Sequence, residues 1–123
     1  IIRGALNHPA KLELSDLKIR RDWGWAPEFV DGIYKMLQLD RPEDFVLATG
    51  QNHSLEDFVQ KAYAQLGLDW RKFVTVNEGG GRPLDIRENR GNPSKAKKLL
   101  GWQAEANLDT IISRMLKADY GEA

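Results

Sequence analysis

The spacing of apolar residues follows two different periods in the first half of the chain. Lys11–Ser15 alternates polar and apolar side chains, which predicts a short strand. From Pro27 the apolar residues recur at intervals of three and four, which predicts an amphipathic helix that ends near Leu39. Its apolar stripe consists of Phe29, Val30, Ile33, Tyr34 and Leu37. Phe45–Ala48 is a continuous apolar run, which predicts a strand covered on both faces, as in a parallel sheet.

Capping residues mark the helix boundaries in the second half. Ser54, with an acidic residue three positions later, predicts the start of a helix that ends at Gly67. Phe73–Val76 predicts a further short strand. A third helix is predicted over Ser94–Leu100, followed directly by a glycine, and Asn107 caps a fourth.

The alternation of strands and helices predicts the α/β fold class. Residues 1–50 have the pattern of the last strands and a helix of a larger parallel sheet, and residues 51–123 that of a small helical cap. Ile1–Leu6 resembles the end of a helix, and the chain begins with Ile rather than Met. We therefore expect a fragment of a larger protein.

The composition excludes several kinds of site. Lys plus Arg equals Asp plus Glu at 18 each, so net charge indicates neither a nucleic-acid nor a membrane partner. There are no cysteines, and the two histidines, His8 and His53, are far apart in sequence, so we expect no metal site. No apolar run reaches the length of a membrane span, and no leader opens the chain, which favours a soluble, cytoplasmic protein.

Two arginines are candidates for binding an anion. Arg21 follows a predicted strand and precedes a helix, where α/β sheets usually bind ligands, and a guanidinium can donate two parallel hydrogen bonds to a phosphate. The alternative is a surface ion pair of Arg21 with Asp22 or Glu28. Arg82, with Asp85 three residues later, is a second cation beside an acid, and such pairs are usually structural.

Motifs for catalysis and for cofactor binding are lacking. Gly79–Gly81 fits neither the P-loop nor the dinucleotide-binding fingerprint, so a flexible connection is the better interpretation. No tyrosine has a lysine four residues later, and no serine lies in a nucleophile turn. From residue patterns alone, the chain is an α/β fragment without an assigned function.

Five segments, in order, resemble the GDP-mannose 4,6-dehydratases, a family of the extended short-chain dehydrogenases/reductases. Arg21–Val30 is similar to the Arg-Asp-Trp-Gly segment of that family, and Pro42–Gly50 to its next strand. His53–Val59 resembles its first cap helix, and Arg82–Ile86 its Arg-Pro element. Gly91–Trp102 resembles the Ser-Lys-Ala and Leu-Gly-Trp segment that many extended short-chain dehydrogenases share.

The resemblance implies a lyase that converts GDP-mannose to GDP-4-keto-6-deoxymannose, a step of GDP-fucose biosynthesis. It implies that NADP and the catalytic residues belong to a Rossmann-type domain of which residues 1–50 are the end. Residues 51–123 would be the substrate-binding cap, and the fragment alone would be inactive. Arg21 and Arg82 match arginines that grip the diphosphate in related epimerases, and Asp85 matches an acidic position near the nucleotide. The full-length enzyme would be a homo-oligomer.

Two positions depart from the family pattern, and three other functions are compatible with the sequence. Gly79–Gly81 replaces bulkier residues before Arg82, and Trp25 stands where many members have histidine. Within the superfamily, a GDP-4-keto-6-deoxymannose reductase or a nucleotide-sugar epimerase would share the cap. A non-catalytic binding module is the alternative from another class.

Overall fold

The computed structural model describes residues 1–7, 9–77 and 85–121 and confirms the α/β class. The helices are α1 (Ile2–Leu6), α2 (Ala26–Leu37), α3 (Leu55–Ala64), α4 (Ser94–Leu100) and α5 (Leu108–Gly121). The strands are β1 (Leu12–Leu14), β2 (Arg20–Arg21), β3 (His53–Ser54) and β4 (Val74–Val76). No helix of the described residues is long and apolar enough to cross a membrane.

The strands of the described residues form two separate two-stranded sheets. In one, β1 and β4 run parallel, with Leu12 opposite Val74 and Leu14 opposite Val76. A parallel pair needs a long crossover, and here α2 and α3 lie between the two strands in sequence. In the other sheet β2 and β3 are antiparallel. The β1–β4 pair joins the two predicted domains, whose boundary at residue 50 stays a prediction.

Helix α3 is the centre of the core because it contributes to two apolar clusters. One cluster joins α3 to α1 and α5, and its buried members are Ile2, Phe58, Ala62, Leu108, Ile112 and Leu116. The other joins α3 to α1 and the β1–β4 sheet, and its buried members are Ala5, Leu17, Val59, Tyr63, Trp70 and Val74. The two faces of α3 therefore link the helical part to the parallel sheet.

In the second half of the chain, the predicted helix boundaries are confirmed except for the end of α3, which lies at Ala64, three residues before Gly67. The Ser54 Oγ accepts from the Asp57 backbone N–H at 3.0 Å, and an Asp57 carboxylate oxygen accepts from the Ser54 backbone N–H at 3.0 Å. This reciprocal pair is a capping box. Gly101 ends α4 at φ 60°, and the Asn107 Oδ1 accepts from the Thr110 N–H at 2.9 Å at the start of α5. Local sequence therefore sets these boundaries.

The strand predicted at Phe45–Ala48 is wrong. The segment lies in a connection without regular structure, and no strand of the described residues pairs with it. Nor is it covered on both faces, because 53% of Val46 is exposed. An apolar run becomes a strand only where a hydrogen-bonding neighbour is available, and the described part of the chain supplies none.

Helix α2 forms as predicted but ends at Leu37, two residues early, and its apolar stripe divides between two environments. Phe29 packs edge-on against Trp102, with ring centres 5.4 Å apart. The other four stripe residues are exposed: Val30 64%, Ile33 51%, Tyr34 61% and Leu37 75%. Most of the stripe thus faces away from the core.

Candidate functional site

Arg21 lies on β2, between two neighbouring segments of chain. On one side β2 pairs with β3. On the other side residues 87–89 run parallel to it: the Arg20 N–H donates to the Arg87 carbonyl at 2.8 Å, and the Asn89 N–H to the Arg20 carbonyl at 3.1 Å. These bonds bring residues about 65 positions apart into register, so Asp85 comes to lie beside Arg21.

Arg21 and Asp85, two of the three predicted site residues, are in contact. The Arg21 Nη2 donates to the Asp85 Oδ1 at 2.9 Å, and its Nη1 donates to the carbonyls of Ile86 at 2.6 Å and Arg20 at 2.9 Å. Arg21 therefore pairs with Asp85, rather than with Asp22 or Glu28 as the surface-pair alternative expected. The side chains of Arg21 and Asp85 are 26% and 40% exposed.

The accessibility of this pair makes its attraction weak. An ion pair in contact with water stabilises a fold by about 0–1 kcal/mol. A guanidinium has five N–H donors, and the bonds above use three, so two have no acceptor among the residues that the structure describes. Arg21 is thus held in place by backbone carbonyls while its charge stays available to an anion.

Asp22 joins the two loops on either side of Arg21. One of its carboxylate oxygens accepts from the backbone N–H of Thr49 at 3.0 Å and from the Thr49 hydroxyl. The other accepts from the N–H of Gly50 at 3.0 Å and of Gly91 at 3.2 Å. Such charge-assisted bonds are about twice as strong as neutral ones. Asp22 therefore holds the 49–50 turn and the 91 turn against β2.

Gly91 allows this approach because it lacks a side chain. A Cβ on Gly91 would lie 2.3 Å from the Cβ of Ala48, which is too close for two carbon atoms that are not bonded to each other. Gly50 adopts φ 79°, a left-handed conformation that favours glycine. The N–H groups of both glycines donate to Asp22, so their lack of a side chain allows these hydrogen bonds.

A second polar network is centred on Arg20 and links the segments on both sides of β2. The Arg20 Nε donates to the Asn52 Oδ1 at 3.2 Å, and its Nη2 to the Asn52 carbonyl at 3.2 Å. The Asn52 Nδ2 in turn donates to the Glu88 Oε1 at 2.6 Å. Arg20 therefore stabilises the fold around the site, whereas Arg21, its neighbour, faces Asp85.

The third predicted site residue, Arg82, lies outside the described residues, as does the Gly79–Gly81 loop. No group of His, Cys, Asp or Glu side chains within the described ranges is arranged to hold a metal ion. Sequence reasoning missed the role of Asp22, which it treated only as a surface partner of Arg21. No sequence signal singles out Asp22, because Thr49, Gly50 and Gly91 approach it only in the folded structure.

The two tryptophans near the site contact other side chains of the protein. Trp23 stacks edge-on against Phe58, with ring centres 5.1 Å apart. The Arg114 guanidinium lies 5.4 Å from the centre of the Trp25 ring, in cation–π geometry. Neither ring contacts Arg21 or Asp85 in the described contacts, so we assign neither to the anion site.

Comparison with known proteins identifies close relatives by sequence. The sequence profile of the family described as GDP-mannose 4,6 dehydratase matches residues 1–115. GDP-mannose 4,6 dehydratase 2 of Arabidopsis thaliana is 35% identical over 109 residues, covering 89% of this chain and 29% of that protein. GDP-mannose 4,6 dehydratase of Homo sapiens is 34% identical over 123 residues, covering 86% of this chain and 33% of that protein. The chain thus spans about a third of the length of these relatives.

Solved structures share the fold at lower sequence identity. RMD from Pseudomonas aeruginosa, complexed with NADPH, superposes with a TM-score of 0.82 at 14% identity, over 99% of this chain and 40% of that one. The dTDP-glucose 4,6-dehydratase of Bacillus anthracis, in complex with NAD, gives a TM-score of 0.84 at 18% identity, over 98% of this chain and 37% of that one. These likenesses establish the fold.

Proposed function

The chain belongs to the GDP-mannose 4,6-dehydratase family, and on that basis we propose that it is the substrate-binding part of a longer lyase acting on GDP-mannose. We call that longer polypeptide the complete protein. Its product would be GDP-4-keto-6-deoxymannose: hydride leaves C4, water is lost across C5 and C6, and the hydride returns to C6. The names of the relatives favour this reaction over the reductase, epimerase and binding-module alternatives.

This chain does not fit the role of cofactor holder. A nicotinamide cofactor would supply the reversible hydride acceptor, but the 123 residues contain neither a glycine-rich dinucleotide turn nor a tyrosine with a lysine four residues later. We therefore assign NADP and proton transfer to the remainder of the complete protein. The fold neighbours hold NADPH or NAD, so the choice of NADP rests on the family resemblance.

The observation that carries the substrate site is the placement of Arg21. The carbonyls of Arg20 and Ile86 fix its guanidinium, while two of its N–H groups have no acceptor among the described residues. We assign these two N–H groups to the diphosphate of the substrate. Arg82, three positions before Asp85 in sequence, is assigned to the same diphosphate. Asp85, which neutralises Arg21 when no ligand is bound, is assigned to the nucleotide side of the site.

The other parts of the proposal concern the complete protein. Residues 1–50 would complete its Rossmann-type domain, and residues 51–123 would form the cap over the sugar nucleotide. A cytoplasmic location, a homo-oligomer and a place in GDP-fucose synthesis agree with the family resemblance. They stay predictions.

Substitution of Arg21 tests the proposed site. In the complete protein, Arg21→Ala should weaken GDP-mannose binding by roughly ten- to a hundredfold, because a charge-assisted hydrogen bond contributes about 1.5–3 kcal/mol. Arg21→Lys should recover only part of the affinity, since lysine keeps the charge but loses the fork. Calorimetric titration with GDP-mannose, and separately with NADP, measures both effects.

Arg71 offers a matched control for this titration. Its side chain is 67% exposed, and the nearest carboxylate oxygen, of Asp69, is 3.8 Å away. Arg71→Ala should leave both affinities unchanged. Wild-type affinity for GDP-mannose in a folded Arg21→Ala variant would refute the site.

A further inference from the structure

The two faces of β2 differ in how their charged side chains are paired. The segment 87–89 runs parallel to β2, with Arg20 opposite Glu88. Residues that lie opposite each other in a sheet point to the same face, so Arg20 and Glu88 share one face. They are joined there through Asn52, which accepts from Arg20 at 3.2 Å and donates to Glu88 at 2.6 Å. Both charged groups of this face therefore have hydrogen-bond partners.

The opposite face of β2 carries Arg21 and, by the alternation of side chains along a strand, Arg87. Arg87 directly precedes Glu88, so its side chain leaves the segment on the side opposite to that of Glu88. The Arg21 guanidinium reaches the same place, because its Nη1 donates to the carbonyl of Ile86 at 2.6 Å, and Ile86 directly precedes Arg87. The two arginines are thus neighbours at the proposed anion site.

Arg87 adds a positive charge that no contact within the described part of the chain neutralises. Residues 85–90 are all exposed, and the guanidinium of Arg87 makes no hydrogen bond or ion pair with a described residue. The neighbouring carboxylate, that of Asp85, is already paired with Arg21 at 2.9 Å. The Arg21–Asp85 pair contributes no net charge, so Arg87 makes this face of β2 positive.

The charge of the proposed ligand calls for this additional cation. The diphosphate of a nucleotide sugar carries a negative charge on each phosphate at neutral pH, and Arg21, paired with Asp85, does not balance both. Two neighbouring guanidinium groups repel each other, and an anion that both contact replaces this repulsion by attraction. A guanidinium also donates parallel hydrogen bonds to phosphate oxygens. The position and the charge of Arg87 therefore both favour an anion beside Arg21.

We infer that Arg87 is a further substrate-binding residue, which donates to the diphosphate from the position next to Arg21. This inference rests on the proposed function, in which the ligand is a nucleotide sugar. Because Arg87 is exposed and has no partner among the described residues, it contributes to the affinity for the ligand rather than to the stability of the fold. The test therefore measures both quantities.

Substituting Arg87 in the complete protein tests this inference. Arg87→Ala should weaken GDP-mannose binding roughly three- to tenfold, less than Arg21→Ala, because water and salt screen an exposed charge. Arg87→Lys should recover part of the affinity, since lysine keeps the charge, and added salt should reduce the difference between Arg87→Ala and the unaltered protein. The melting temperature without ligand should not fall in either variant. Calorimetric titration and thermal unfolding measure these effects.

Arg90 provides a matched control. It is exposed, as Arg87 is, and makes no contact with a described residue. It lies two positions after Glu88, so the same alternation places it on the face of Glu88, away from Arg21. Arg90→Ala removes the same charge from the protein as Arg87→Ala does, and it should leave the affinity for GDP-mannose unchanged.

The outcomes separate a binding role from a structural one. Weaker binding by Arg87→Ala than by Arg90→Ala, at an unchanged melting temperature, supports the inference. Equal affinities of the two alanine variants overturn it. Weaker binding by Arg87→Ala together with a lower melting temperature assigns Arg87 to the fold and also overturns it.

Titration with inorganic diphosphate separates this inference from the proposed function. If the unaltered complete protein binds diphosphate but not GDP-mannose, the proposed function fails, whereas Arg87→Ala should still weaken diphosphate binding. If the unaltered protein binds GDP-mannose and Arg87→Ala binds it equally well, only the inference about Arg87 fails. Binding of neither compound by the unaltered protein overturns both.

Discussion

At the scale of single residues, Asp22 explains how two turns distant in sequence are held beside Arg21. Its carboxylate accepts from the N–H groups of Thr49, Gly50 and Gly91, and so connects positions that lie 27, 28 and 69 residues away. Arg21, the last residue of β2, directly precedes Asp22, so the turns that Asp22 holds lie beside it. We therefore expect Asp22 to act on the substrate through Arg21, as a positioning residue.

Asp22→Asn tests this role. The amide keeps the size of the side chain but offers one acceptor oxygen and turns an NH₂ group toward backbone donors, so the unfolding free energy of the complete protein should fall by about 2 kcal/mol. GDP-mannose affinity should fall as well, while NADP affinity is retained. Urea titration and calorimetry measure the two effects.

Asp31 provides the control for Asp22. Its carboxylate forms an exposed ion pair with Lys35 at 3.4 Å on α2, so Asp31→Asn should change stability by less than about 0.5 kcal/mol. If Asp22→Asn behaves like Asp31→Asn in both measurements, the turns are held by other contacts.

The site was only partly predictable at this scale. The family resemblance led to Arg21 and Asp85, which the structure brings into contact across 64 positions of sequence. The role of Asp22 could not be predicted, because its four donors meet only after three segments have folded together. The spacing of residues along the chain does not indicate contacts between segments so far apart in sequence.

At the scale of elements, the cap of α3 predicts that the stability of the chain depends on pH. The hydrogen bond from the Ser54 backbone N–H, the largest cause, holds the pKa of the Asp57 carboxyl below its ordinary value of 3.8. The folded chain therefore binds fewer protons than the unfolded chain near that pH. The contribution of Asp57 to stability is present above about pH 3.8 and is lost as the pH falls through the lowered pKa.

Ser54→Ala should remove about 1 kcal/mol of stability at neutral pH, because the Oγ acceptor of the cap is lost. Asp57→Ala, which removes the titrating carboxyl, should flatten the loss of stability on acidification. Thermal unfolding of the 123-residue chain, followed by circular dichroism between neutral and acid pH, measures both. Ser113→Ala, a serine within α5 without a capping role, should leave the pH dependence as in the unaltered chain. Parallel curves for Asp57→Ala and the unaltered chain would contradict the assignment of this pH dependence to Asp57.

Elements with local signals were predicted well, and those without were not. Periodicity and caps predicted α2, α3, α4 and α5 to within a few residues, because both signals depend only on residues close together in sequence. The strands β2 and β3 have two residues each, too few to show a period, and neither was predicted on these bounds. Phe45–Ala48 was predicted as a strand because its apolar character is real, but its pairing depends on a partner elsewhere.

At the scale of the whole molecule, the described residues form a packed core but leave an apolar face of α2 exposed to solvent. The two apolar clusters around α3 join α1 and α5 to the β1–β4 sheet, whereas the exposed face of α2 consists of Val30, Ile33, Tyr34 and Leu37. The described residues thus include a candidate anion site and an exposed apolar face on α2. We propose that the chain supplies the substrate contacts of an enzyme whose cofactor and proton-transfer residues lie in the rest of the complete protein.

The most direct measurement is turnover of GDP-mannose, followed by mass spectrometry of the sugar nucleotide. With NADP, the complete protein should convert GDP-mannose to a 4-keto product lighter by one water, and the 123-residue chain alone should give none. The Arg21→Ala variant of the complete protein should require a higher GDP-mannose concentration for the same rate. Product formation by the 123-residue chain alone, or a complete protein that leaves GDP-mannose unchanged, would contradict this assignment.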